Sequence, residues 1–230
     1  MSLTVCLVNY QALAAVSLSW ESLLAHHPRP RLYAWDNGST DGAAEYLQGE
    51  ADRFWSGDNS REHGWCLDQL IREVETEYTL VLDNDVVFYG SLLPDMQAQA
   101  AFCVAPAPRW DPGHFTCRGL PVTGQPRIDP CCALFQTRPL QALLQQVSFG
   151  TYLGVGTHEF FDTGAMVYRA AQCAGLRVEQ PLWIWDRLVH WGAVSGMWQD
   201  PDSPYALSRH ERYAMIQALL AQQRRGEALR

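Results

Sequence analysis

The sequence predicts an α/β fold with a mostly parallel central sheet and helices on both faces, followed by a looped region. Apolar runs of strand length alternate with amphipathic helical patterns over the first hundred residues, with no linker between them. The runs Leu32–Trp35 and Tyr78–Leu82 stop abruptly at Asp and Asn, as buried parallel strands do when they reach a sheet edge. From about Ala105 the texture changes: Pro106, Pro108, Pro112, Pro121, Pro126 and Pro130, with Gly113, Gly119 and Gly124, predict loops.

The elements follow in order. Leu3–Val8 is a first strand; Leu13, Val16, Trp20, Leu23 and Leu24 then recur at helical spacing until Pro28. Leu32–Trp35 is the second strand, Asp41–Gln48 a short helix closed by Gly49, and Arg53–Ser56 a short third strand. Leu67, Leu70, Ile71 and Val74 mark a further helix before the strand that ends at Asp83, and this β-α-β-α-β-α-β order argues for a doubly wound core. Beyond the loops, Cys131–Gln136 reads as a strand returning to the sheet, and Pro139–Val147 as a helix with Pro at its start. Gly150–Gly156 reads as a Gly-rich loop and Asp162–Ala174 as a helix ended by Gly175. Ser208 and Glu211 form a capping box ahead of a helix with Met215, Ile216, Leu219 and Leu220 on one side. The expected organisation is one domain with two halves, 1–105 binding a nucleotide-bearing ligand and 106–230 facing a second substrate.

Composition narrows the function. With 230 residues, 47% of them hydrophobic, the chain can bury a full core. Its net charge is −8 with no basic stripe, so a nucleic-acid partner is not expected. There is no lysine, which removes the P-loop Gly-Lys-Ser/Thr and Schiff-base chemistry and leaves arginine as the strong cation. Seven cysteines in no C-x-x-C spacing read as reduced core thiols of a cytoplasmic protein. Met1–Tyr10 lacks the basic start of a signal peptide, and no run reaches the eighteen or so apolar residues of a membrane span, which leaves peripheral membrane association open.

Two acidic clusters carry the chemistry: Asp36-Asn37-Gly38-Ser39-Thr40-Asp41-Gly42 and Asp83-Asn84-Asp85, each at a strand end. In open α/β sheets ligands bind beyond the carboxyl ends of the strands, so both clusters are expected to face one crevice. Clustered carboxylates there call for a divalent metal, a ribose or both. An acidic protein holding an anionic substrate needs a cation between them, and in Asp-x-Asp the side chains can point the same way.

The opening Val8-Asn9-Tyr10, the first acidic loop and the Asp-x-Asp about forty residues later resemble the family 2 glycosyltransferases of the GT-A fold, a Rossmann-like architecture. That resemblance is specific over residues 1–105. Beyond them Arg127-Ile128-Asp129-Pro130-Cys131-Cys132 looks like the strand closing the donor site, Asp162-Thr163-Gly164 like the acceptor-side acidic segment, and His190-Trp191-Gly192 like the family's late histidine. The resemblance implies a metal-dependent, inverting transfer of sugar from a nucleoside-diphosphate sugar, with uridine favoured, to a glycan or glycoconjugate acceptor in surface-polysaccharide or similar biosynthesis. It implies Asp85 as ligand of Mn²⁺ or Mg²⁺, Asp83 as ribose contact and Asp36 as acceptor of the base's imide proton, with Asn9 and Tyr10 beside it. Asn37, Ser39, Asp41 and Asn84 belong to the same nucleotide-sugar site, with His63 and Asp68 on the helix near the donor and His190 completing the metal site.

An inverting transfer needs a base for the acceptor hydroxyl. Asp162 is the choice, although the family's Glu-Asp pair is here split as Glu159-Phe160-Phe161-Asp162, and Glu159, Asp129 and Asp186 stay open alternatives. Asp162 could equally cap a helix, and the tryptophans at 110, 183, 185, 191 and 198 fill core more readily than they stack on sugars. Two rival functions remain. Thr79–Val87 also resembles the aspartyl strand of a haloacid dehalogenase-type phosphatase, against which stand its position after some eighty residues and the missing lysine. The other rival is a non-catalytic nucleotide-sugar-binding subunit.

Overall fold

A computed structural model describes residues 2–27, 30–108, 113–117, 120–154 and 158–190, with only the backbone at 115–117 and 120. Trp110, Trp191, Trp198 and the expected helix after Ser208 lie outside the described residues.

Seven strands build the main sheet: β1 (Leu3–Asn9), β2 (Arg31–Asp36), β3 (Arg53–Ser56), β4 (Tyr78–Asp83), β6 (Cys103–Val104), β9 (Cys132–Gln136) and β12 (Val178–Glu179), in the spatial order β12-β6-β9-β4-β1-β2-β3. Every pairing is parallel except those of β9, which runs against both β4 and β6. The expected mostly parallel sheet is therefore present. The strand returning after the looped region joins it antiparallel, and β9 and β12 bring the second half of the chain into the same sheet.

Alternation along the strands divides the core into two layers. Leu3, Val5, Leu7, Leu32, Ala34, Leu80 and Leu82 pack with Val16, Trp20 and Leu23 of α1 (Leu13–His26), Leu47 of α2 (Ala43–Glu50) and Met96 of α4 (Leu93–Ala98). Cys6, Val8, Tyr33, Val81, Ala133 and Phe135 face Leu67, Leu70 and Ile71 of α3 (His63–Arg72), Leu140 of α5 (Thr137–Leu143) and Val167 of α6 (Ala165–Cys173). At about 25 cal/mol per Å² of apolar surface removed from water, these two layers supply the main force for folding. Helices thus cover both faces, as expected.

Several boundaries differ from the sequence reading. α5 starts at Thr137, two residues before Pro139, because the amides of the first turn have no intrahelical acceptor and a proline loses nothing there. α2 continues through Gly49. α6 starts at Ala165, leaving Asp162 outside it: Gly164 takes φ +86 at the N-cap, and a Cβ there would lie 2.4 Å from the carbonyl oxygen of Ile128. The expected loops hold a hairpin of β7 (His114–Cys117) and β8 (Leu120–Gly124), joined by β11 (Glu159–Phe161) and β10 (Tyr152–Leu153) in a four-stranded sheet. A two-stranded ribbon, β5 (Val86–Phe88) with β13 (Leu188–His190), was not expected either. Trp183 and Trp185 pack half-buried against the first core layer, the Trp185 indole donating to the carbonyl of Ala107.

Candidate functional site

The chain lays β1, β2 and β3 side by side in one direction and then crosses back to place β4 on the other flank of β1. α1 and α2 pack on one face of the sheet and α3 on the other, so the loops leaving β1 and β4 diverge and open a crevice at the strand ends. Asn9 lies in register with Asp36, and Val8 with Asp83. Both acidic clusters therefore reach the same sheet edge, as the sequence predicts.

Their side chains serve opposite ends. The Asp36 carboxylate is fully buried and accepts four hydrogen bonds: Oδ1 from Asn9 Nδ2 (2.9 Å) and Ser39 Oγ (2.6 Å), Oδ2 from the amides of Gly38 (3.0 Å) and Ser39 (2.7 Å). These four bonds match the acceptor capacity of a carboxylate and give Asp36 a structural role at the strand end. Asn37 is buried and accepts from the Trp35 indole while donating to the carbonyl of Arg61. Ser39 Oγ accepts the amide of Gln11. The Asp41 carboxylate accepts from the amide of Leu13 (2.9 Å) and that of Ala43 (3.1 Å), the first residues of α1 and α2, so one side chain caps two helices. Asn37, Ser39 and Asp41, expected at the donor, hold together the loop at this strand end. Asn84 Nδ2 donates to Asn9 Oδ1 at 2.7 Å, and Asn9 thereby ties the two clusters together. Tyr10 stands half-buried where β1 leaves the sheet.

Asp83 and Asp85 behave differently. β13 pairs with β5 so that His190 lies opposite Val86, which puts its ring beside the Asp-x-Asp. His190 Nε2 stands 3.1 Å from Asp85 Oδ1 and 3.4 Å from Asp83 Oδ2, and His63 Nε2, at the start of α3, is 3.6 Å from Asp83 Oδ1. Burial raises the Asp83 carboxyl above the usual carboxylate range; the charges of His63 and His190 oppose this, and those of Asp85 and Asp129 add to it. Burial would lower His190, but its hydrogen bond to Asp85 and the charges of Asp85, Asp83 and Asp129 outweigh that and carry it to about 9. The edge is thus short of positive charge, and the imidazolium fills the place of a cation. One ligand atom each from Asp83, Asp85 and His190 lies within 4.8 Å of the others. This set of two carboxylates and an imidazole fits Mn²⁺ or Mg²⁺.

The antiparallel entry of β9 completes the rim. Asp83 N donates to the carbonyl of Cys131 at 2.9 Å, so the segment before β9 runs alongside the end of β4. Asp129 Oδ1 accepts the amide of Cys131, and Arg127 stands 3.8 Å from Asp129 while hydrogen-bonding Asp162. A line of charge runs His63, Asp83, His190, Asp85 and Asp129, Arg127, Asp162. The second oxygen of Asp162 accepts the amide of Thr163, and Gly164 holds the N-cap of α6, so the helix-cap reading of Asp162 falls away. Asp68, expected to face the sugar, is buried: its oxygens accept from Ser148 Oγ and from the amide of Phe149. Burial raises its carboxyl in spite of those bonds. It holds the 148–150 loop against α3, where a Cβ on Gly64 would come within 2.4 Å of the Gly150 amide nitrogen. Glu159 lies in the small sheet and Asp186 is exposed. The sequence reading gave no role to Arg127 or Cys131, although the segment 127–132 had been singled out as the strand closing the site.

Residues 4–105 match the model of glycosyl transferase family 2. No curated protein matches the chain. Among solved structures, the mannosyltransferase PcManGT from Pyrobaculum calidifontis, in complex with GDP-Man and Mn²⁺, is 18% identical with a TM-score of 0.53, over 78% of this chain and 54% of that one. TarS 1-349 of S. aureus is 17% identical (TM-score 0.45; 63% and 48% covered), and the bifunctional IspDF of Campylobacter jejuni 12% (TM-score 0.48; 79% and 49%). Only the first overlap is close enough to bear on the fold, and this chain spans about half the length of that mannosyltransferase. Residues 4–105 thus match glycosyl transferase family 2, and the chain carries an α/β, Rossmann-like fold of the GT-A type.

Proposed function

We propose that this protein is a metal-dependent, inverting glycosyltransferase that moves a sugar from a nucleoside-diphosphate sugar to a hydroxyl of a glycan or glycoconjugate in the cytoplasm. One observation carries the reading: Asp83, Asp85 and His190 converge at the topological switch point of a family 2 domain. Asp85 and His190 would hold Mn²⁺ or Mg²⁺, with Asp83 turned between the ion and the donor's ribose. A divalent ion bound there would neutralise charge that develops on the departing nucleoside diphosphate.

The protein's own groups account for the rest. His63, half-exposed at the start of α3 and 3.6 Å from Asp83, is placed to meet the donor. Arg127, a guanidinium at the rim of a chain without lysine, holds Asp162 by one oxygen, while Thr163 holds the other. Asp162 so fixed is the proposed base: it is about one-third exposed (31%) and can take the acceptor's proton as the hydroxyl attacks. The looped half, 106–230, would receive the acceptor. No helix among the described residues is long and apolar enough to cross a membrane. Nothing favours the phosphatase reading, since the aspartate strand is the fourth of its sheet and the chain lacks lysine.

The test is a thermal-shift and calorimetric screen of UDP, GDP, dTDP and CDP with and without Mn²⁺. Uracil is the base expected from the family resemblance, and guanine is the base in the GDP-Man bound to the Pyrobaculum calidifontis mannosyltransferase. One nucleotide should raise the melting temperature in Mn²⁺ alone, and Asp85→Ala should abolish that shift; an unchanged affinity in the variant refutes the site. Asp162→Asn should bind donor as before yet lose transfer by about 100-fold or more. Transfer that survives the change removes Asp162 from the mechanism, and a wild-type protein that binds donor without turning it over is the non-catalytic subunit.

A further inference from the structure

Among the described residues, two groups of three or more side chains bring their ligand atoms within 4.8 Å of one another, and both contain His190. One is Asp83, Asp85 and His190. The other is Asp129, Cys131 and His190, with a sulfur among its donors. Cys131 is fully buried, yet it differs from the equally buried Cys6, Cys66 and Cys103, none of which shares such a group. Its place is fixed from two sides. The backbone bond from Asp83 N to its carbonyl locks it beside the end of β4, and the bond from its own amide to Asp129 Oδ1 folds the carboxylate back over it.

We infer that Asp129, Cys131 and His190 form a second metal site, selective for a thiophilic ion of the zinc class, and that it excludes the oxygen-bound ion because the two sites share one imidazole. Hard ions such as Mn²⁺ and Mg²⁺ take carboxylate oxygen and leave thiols alone, whereas Zn²⁺ is bound by thiolate, imidazole and carboxylate in a tetrahedral shell. Three protein ligands leave a fourth position for water. On binding, the Cys131 thiol and the His190 imidazolium each give a proton to solvent and the sulfur becomes an anionic ligand, so the ion meets two negative donors and one neutral one. The functional consequence is that a zinc-class ion would draw His190 away from Asp83 and Asp85 and disable the donor's ion site. The sulfur site itself rests on the donor set alone; only its inhibitory effect depends on the glycosyltransferase reading.

The experiment uses the full chain, stripped of metal and titrated with Co²⁺. A sulfur-to-cobalt charge-transfer band should grow to one equivalent in the wild type, persist in Cys173→Ser, where the exposed cysteine is removed, and vanish in Cys131→Ser. X-ray absorption of the wild-type zinc complex gives the same answer without a variant: one sulfur at about 2.3 Å alongside nitrogen and oxygen at about 2.0 Å. Absence of the band, its survival in Cys131→Ser, or a zinc shell of nitrogen and oxygen alone overturns the site. The electron-paramagnetic signal of Mn²⁺ then tests exclusion: one equivalent of Zn²⁺ should release Mn²⁺ bound to the wild type, and simultaneous occupancy overturns the sharing of His190. Failure of Mn²⁺ to bind at all would count against the oxygen-rich trio and leave the sulfur result standing.

Discussion

The two acidic loops at the crevice both open on Asp-Asn and are put to opposite uses. In Asp36–Gly42 the acceptors are satisfied from within: Asp36 takes four bonds, and Asp41 caps α1 and α2. At Asp83–Asp85 two histidines stand within 3.1–3.6 Å of the carboxylates. A carboxylate surrounded by backbone N–H groups is part of the scaffold; one whose partners can be deprotonated or displaced is available to an ion. The contrast separates the part of the crevice held from within from the part that can bind an ion.

The largest effect should come from breaking the scaffold. Asp36→Ala strands the Asn9 amide and two backbone amides in a buried place and should cost about 3–5 kcal/mol, read as a lower denaturation midpoint with unchanged slope. Asp85→Ala should lose far less stability while losing the Mn²⁺ response completely; equal losses in the two variants would erase the distinction. Asp41→Ala removes two caps and should cost about 2 kcal/mol without altering nucleotide affinity.

Acidity sharpens the comparison further. His190 holds its proton up to about pH 9, so a metal taking its nitrogen must expel that proton, and Mn²⁺ affinity should rise about tenfold per pH unit from 6 towards 9. A flat profile in calorimetry would remove His190 from the ligand set. In the metal-free protein the sign reverses: the folded state binds this proton more tightly than the unfolded one, so the stabilisation is complete below about pH 6.5 and disappears as the pH climbs through about 9.

Much of the architecture was legible because its signals are local. Apolar runs ending in Asp placed β2 and β4, and the order of elements gave the parallel core with helices on both faces. The direction of β9 was not legible, since its four apolar residues, Cys132–Phe135, look the same read either way along a sheet. Asp85 could be chosen from its spacing and a family resemblance. Its meeting with His190 depends on the pairing of β5 with β13, a hundred residues apart, which no local pattern encodes. For Asp36, Asp41 and Asp68, residue type tells that a carboxylate will seek donors, and only the folded backbone shows which amides supply them.

β9 enters the sheet where its neighbours leave it, which gives the rim two kinds of contributor: chain that has just come out of the core and chain about to go in. Insertions or deletions between Ala105 and Asp129 would therefore reshape one wall of the crevice and leave the β4–β9 register untouched. On the proposed function, acceptor preference could thus change without disturbing the donor half.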